Sequence, residues 1–150
     1  MDQDTLRTIT AAVGSTVYTR EPRALDLATI NRLREAFLLP EVADRADVHS
    51  AWLGQLPRNW CDLSTDNRPE APLGFDLGQG VNGGARMVVT RPCRVSDVVR
   101  VDATLDSVEV KEGRSGTLVL VTVRRRVSDV DGECVRFYRT TVYRAGGDRS

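Results

Sequence analysis

From Ala85 onward the chain alternates apolar and polar positions. Met87, Val89 and Arg91 interleave with Arg86, Val88 and Thr90 until Pro92 stops the segment. Val99, Val101, Ala103 and Leu105 then alternate with Arg100, Asp102, Thr104 and Asp106, the period-two pattern of a half-buried strand. Glu112-Gly113-Arg114-Ser115-Gly116 reads as a turn. It leads into Thr117-Leu118-Val119-Leu120-Val121-Thr122-Val123, which is apolar on both faces, as a covered central strand is. Asp129-Val130-Asp131-Gly132 predicts a second hairpin turn, and the stretch from about Cys134 to Arg144 alternates again. Residues 85 to 145 therefore read almost entirely as strand.

The period changes in the first part of the chain. Residues 1 to 40 mix a short extended piece with a helix. Asp26 is placed to cap that helix, which carries Leu27, Ile30, Leu33 and Phe37 at three- and four-residue spacing. Asn31, Arg32, Arg34 and Glu35 would face water, and Pro40 ends the segment. Residues 41 to 84 are rich in Pro, Gly, Asp and Asn. A helix followed by a long antiparallel meander packs by curling the sheet around the helix, which gives an α+β domain. Such a sheet keeps one exposed face and two edges, and a second copy or a paralogous chain is the usual cover for them.

Composition narrows the function. A chain of 150 residues suits one domain, here taken as residues 1–150. Its 21 basic and 21 acidic side chains balance, which argues against broad electrostatic binding to nucleic acid or to an anionic membrane. The polar start MDQDTLRTIT lacks the basic and apolar regions of a signal peptide, and no apolar run reaches the roughly 20 residues of a spanning helix. The expected location is the cytoplasm. Cys61, Cys93 and Cys134 have neither disulfide-framework nor zinc-site spacing, so reduced, buried thiols with no metal are expected. Nothing in the sequence calls for a cofactor.

Specific motifs sharpen this outline. Gly83-Gly84-Ala85-Arg86-Met87, followed by Arg91-Pro92-Cys93-Arg94-Val95-Ser96-Asp97, resembles the Gly-Gly, strand, Arg-Pro-x-Arg-Val-Gly-Asp passage of MaoC-like N-terminal domains. The run from Lys111 to Val123 looks like the matching segment in the N-terminal halves of mesaconyl- and itaconyl-CoA-type hydratases and related 3-hydroxyacyl dehydratases. Thr141-Val142-Tyr143-Arg144 fits the last strand of that half, and Val13-Gly14 with the helix from Asp26 fits its beginning. The resemblance implies a single hot-dog fold, a curved antiparallel sheet wrapped around a central helix. It also implies work on acyl-CoA or acyl-carrier-protein thioesters. Relatives of this kind are commonly double hot dogs, in which the N-terminal half shapes the acyl tunnel and the C-terminal half carries the catalytic residues. The chain resembles a stand-alone N-terminal half, which implies a homodimer or a heterodimer with a second hot-dog chain.

The resembled family's active motif is Gly-Asp-x-Asn-Pro-x-His. Its Asp and His activate the water that adds across an enoyl double bond, and fixed donors stabilise the developing enolate oxygen. The nearest approach here is Asp44-Arg45-Ala46-Asp47-Val48-His49, where the Asp-to-His spacing is kept but Ala43, Ala46 and Asp47 replace Gly, Asn and Pro. Asp44 and His49 are therefore the candidate catalytic pair, set against a solvated loop with a coincidental spacing. His49 is the only histidine. Asn82, Gly83 and Gly84 are candidates for close approach of a substrate to the backbone, or else a bend into the first long strand. Trp52 and Trp60 flank a loop and could wall an acyl pocket, or simply pack beneath it. Asp62, Asp66 and Asn67 line a pocket mouth or form turns around Pro69. Arg124-Arg125-Arg126 reads as charges on a strand leaving the sheet, or as contacts to a CoA phosphate or a carrier protein.

Three functions are compatible with these residues. One is the supporting subunit of an enoyl-thioester hydratase or 3-hydroxyacyl-thioester dehydratase. Another is a self-sufficient homodimeric dehydratase, cyclase or thioesterase. The last is a non-catalytic acyl-thioester binding module.

Overall fold

The structure is a computed structural model that describes residues 3–48, 73, 74, 77, 80–113 and 116–144. Among the described residues two helices and seven strands follow one another as α1 (Gln3–Ala11), β1 (Thr16–Ala24), α2 (Leu27–Ala36), β2 (Asp47–Val48), β3 (Val81–Val89), β4 (Cys93–Arg94), β5 (Val98–Gly113), β6 (Gly116–Asp129) and β7 (Gly132–Arg144). Five strands form one antiparallel sheet in the order β1-β5-β6-β7-β3, and β2 pairs with β4 in a small second sheet. This is the α+β curved antiparallel sheet expected from the sequence.

The long central strands follow their alternation. On β6, Val119, Val121, Val123 and Val127 are fully buried, while Thr122 and Arg124 point to the other face. Gly132 opens β7 with φ 111°, a left-handed conformation that glycine adopts without a Cβ clash. Two apolar clusters fill the core face. One gathers Leu25, Ile30, Val95, Val99, Val101, Val127 and Val135 beneath α2. The other gathers Ile9 of α1 with Val17, Ala103, Leu105, Val119, Val121 and Tyr143.

Helix α2 starts where the cap predicts. The Asp26 carboxylate accepts from the backbone N–H groups of Ala28 and Thr29 and from the Thr29 hydroxyl, an N-cap that satisfies donors the first turn leaves unpaired. The Thr29 bonds hold the Asp26 carboxyl below its ordinary value. The apolar stripe is narrower than its spacing suggests. Ile30 is buried and Leu27 packs on the core, but Phe37 at the C-cap is 65% exposed. Asn31 and Arg34, expected in water, instead fasten the following chain. Asn31 exchanges bonds with the backbone of Val42 in both directions, and Arg34 Nε donates to the Pro40 carbonyl.

Three features depart from the sequence reading. Helix α1 precedes the extended piece, with Ile9 as its buried anchor. Strand β3 begins at Val81 rather than Ala85, and every one of its residues is exposed. It is an edge strand, so its alternation reflects pleat and not burial. Arg125 does not sit on a strand leaving the sheet. Strand β6 continues to Asp129, so period two turns Arg125 onto the core face at 8% exposure, while Arg124 and Arg126 face Asp106 and Asp102 on the opposite side.

Candidate functional site

The sequence candidates fall in two places. Asp44 lies in the exposed turn before β2, and its Oδ1 accepts from Ser96 Oγ at 2.5 Å. Arg45, next in the chain, pairs with Asp97 at 2.6 Å, and Asp97 also accepts from the Arg94 backbone N–H at 2.7 Å. The Val95 N–H donates to the Ala46 carbonyl, and Ser96 and Leu25 are joined through backbone bonds that include Asp97. Together these bonds lash the turn at residue 44 to the β4 lip. Ser96 takes a left-handed backbone at φ 70°, where the resembled motif carries glycine. The Asp44 hydrogen bond helps to hold that conformation. His49, its proposed catalytic partner, lies outside the described residues, as do Trp52, Trp60, Asp62, Asp66 and Asn67.

Asn82, Gly83 and Gly84 lie at the far end of β3, beside Thr140, Thr141 and Val142. The register slips between Asn82 and Gly84, so the glycines mark a β-bulge. The Asn82 Oδ1 accepts from the Gly84 N–H at 3.2 Å, and Gly84 has φ 148°. A Cβ on Gly83 would come within 2.5 Å of Val142 Cγ2. Hence Gly83 meets the packing need of a bend, and the Gly84 N–H is engaged locally. A shallow cavity of about 300 Å³ opens beside the bulge, lined by Gly84, Arg86, Asp106, Tyr138 and Thr140 among others. The Arg86 guanidinium stacks over the Tyr138 ring, 4.3 Å from its centroid. Register therefore separates these glycines from Asp44, which is tied to Ser96 beyond the opposite end of β3.

Sequence reasoning missed two groupings. Gly80 packs so tightly that a Cβ there would lie 2.4 Å from Thr141 Cγ2 and 2.6 Å from Tyr143 Cε1. The Thr141 hydroxyl is buried and has no hydrogen-bond partner among the described residues. The second grouping is Arg91, Asp129, Cys93 and Cys134. Arg91 grips Asp129 with both terminal nitrogens and also donates to the Gly132 carbonyl at 3.0 Å. That grip, the largest influence, holds the Asp129 carboxyl below its ordinary value. Burial pushes the Cys93 and Cys134 thiols upward. On the outer face, burial alone would raise Asp102, but bonds from Thr19, Arg100 and Arg126 outweigh it and lower its carboxyl.

The fold is shared with several solved structures. A 3R-hydroxyacyl-ACP dehydratase complex, HadBC, from Mycobacterium tuberculosis superposes with a TM-score of 0.64 at 14% identity, over 87% of this chain and 96% of that one. The ChsH1-ChsH2 complex from the same organism superposes with a TM-score of 0.64 at 16% identity, over 99% and 94%. A MaoC-like dehydratase from Rhodospirillum rubrum gives 0.63 at 17% identity, over 91% and 95%. No curated protein matches the sequence. Residues 60–137, more than half of the chain, match the FAS1-like dehydratase domain region. The chain belongs to the family of the FAS1-like dehydratase domain region, and its hot-dog fold is shared with the MaoC-like dehydratases.

Proposed function

We propose that the protein is a subunit of an acyl-thioester hydro-lyase, an enoyl-thioester hydratase or 3-hydroxyacyl-thioester dehydratase. Its partner would be a second hot-dog chain that carries the complete Asp/His pair. The observation that carries this reading is the match of residues 60–137 to a dehydratase region. The whole chain acts as one domain in the cytoplasm, binding an acyl-CoA or acyl-carrier-protein thioester. Among the described residues no helix is long and apolar enough to cross a membrane.

The sheet edge supports the pairing. Val81, Met87, Val88 and Val89 are between 38% and 67% exposed along β3. An exposed apolar edge strand is a template for another strand, and natural proteins blunt or cover such edges. The catalytic division of labour follows from the residues of the motif. Asp44 bonds Ser96, and Ala43, Ala46 and Asp47 stand where the motif carries the Gly, Asn and Pro that shape the turn aiming its acid/base pair. The fold then contributes the wall that orients the acyl group, while the partner moves the proton.

Val89→Lys tests the pairing. It places a charge on the exposed edge without touching either core cluster. It should weaken self-association or association with the partner chain by about tenfold or more while leaving the melting temperature unchanged. Light scattering that finds only monomer for the wild type, alone and with the candidate partner, would refute the paired architecture.

A further inference from the structure

Cys93, Asp129 and Cys134 are far apart in sequence, and their linear spacing suggested no metal site. The fold closes that distance. The N–H groups of Thr90 and Arg91 both donate to the Cys134 carbonyl, which brings the β4 approach against the start of β7. The β6–β7 turn adds Asp129. One ligand atom from each of the three residues then lies within 4.8 Å of the others. Both cysteines are fully buried.

We propose that Cys93, Cys134 and Asp129 form a structural binding site for a divalent ion of the zinc class. Tetrahedral zinc, with Zn–S of about 2.3 Å and Zn–O of about 2.0–2.2 Å, holds its sulfur and oxygen ligands roughly 3.5 Å apart. Cys134 Sγ stands 3.5 Å from Asp129 Oδ2. The ion takes the place of the thiol proton that now points at that oxygen, and its binding releases both thiol protons to solvent. The Gly132 carbonyl, 3.8 Å from the same sulfur, offers a fourth donor.

Arg91 fits the loaded site. It hydrogen-bonds the carboxylate that would ligate the ion, the usual way an outer residue orients such a ligand. A dication, two thiolates, a carboxylate and a guanidinium sum to zero charge, so the filled site brings no net charge into the core. The ion would pin β4, the β6–β7 turn and β7 together, a place where two thiols otherwise only fill space.

The test uses the full chain, reduced, stripped with chelator and titrated with Co²⁺. A sulfur-to-cobalt charge-transfer band saturating at one equivalent and displaced by zinc is expected. Cys93→Val and Cys134→Val keep the core filled and should abolish the band with the circular dichroism unchanged. Cys61→Ser should retain it, and Asp129→Asn should weaken binding by about tenfold or more. X-ray absorption at the zinc edge of the wild type, which needs no variant to fold, should count two sulfur ligands. Absence of the band in the folded, reduced wild type, dependence of the band on Cys61, or fewer than two sulfurs would overturn the site. So would a Cys93–Cys134 disulfide that accounts for all thiol chemistry with no cobalt uptake after reduction.

Discussion

Gly80→Val is expected to strip the protein of most of its stability, with a loss of about 3 kcal/mol or more. The reason is steric. The new Cβ falls on Thr141 and on the ring of Tyr143, and neither can retreat. Thr141 is β-branched and buried, and Tyr143 is fully enclosed in the cluster beneath α1. Gly80→Ala adds the same Cβ with less bulk and should fall between about 1 and 3 kcal/mol. Pairing Gly80→Ala with Tyr143→Leu should cost less than the two single changes added together, because the smaller side chain vacates the overlap. Denaturant unfolding of the wild type and the four variants measures this. Gly80→Val within about 0.5 kcal/mol of wild type would contradict the packing described.

Arg91→Leu should be the next most damaging change. Asp129 is only 4% exposed at its side chain, and Arg91 holds both of its oxygens. Removing one partner of a buried pair leaves the other charge uncompensated, at a cost of about 3–5 kcal/mol. Arg91 is 30% exposed, so the lower end applies. The deficit has a pH signature. In the wild type the Asp129 carboxyl lies below its ordinary value, so its stabilisation is present above the unfolded carboxylate range and is lost as pH falls through the folded value. In Arg91→Leu the largest lowering influence on that carboxyl is gone while burial still opposes its charge, so the deficit is greatest near neutral pH and is relieved on acidification. The two stability curves, measured with chelator present, should therefore converge toward low pH. Adding Asp129→Leu to Arg91→Leu should recover most of the loss at neutral pH. A deficit that grows as the pH falls would contradict this electrostatic account.

The long hairpins were legible because each residue there answers to one neighbour on each side. The alternation around Val101 and the turns at Gly113–Gly116 and Asp129–Gly132 reappear as β5, β6 and β7. The Asp26 cap was legible for the same local reason. What the sequence hid depends on closure over distance. Strand β3 shows the alternation of a half-buried strand, yet it lies on the edge and is exposed throughout. Arg125 reads as one of three like charges, and only its register opposite Ala103 and Phe137 turns it inward. Gly80 has no local signal, since its need for a bare Cα comes from a strand sixty residues on, roughly, in a partner chosen by topology. The convergence of Cys93, Asp129 and Cys134 was hidden in the same way. The spacing of Asp44 to His49 suggested chemistry; Asp44 accepts a bond from Ser96 Oγ in its turn, and His49 lies outside the described residues.

The most direct test of the central claim is turnover. The purified chain is assayed for hydration of enoyl thioesters alone and with a hot-dog partner that carries the full Asp/His motif, each with and without His49→Ala. Turnover is expected only in the pair, with a change of less than about tenfold on His49→Ala in the assembled enzyme. Turnover by the chain alone that falls by roughly two to four powers of ten on His49→Ala, with the fold intact, would contradict it and place the catalytic centre in this sequence.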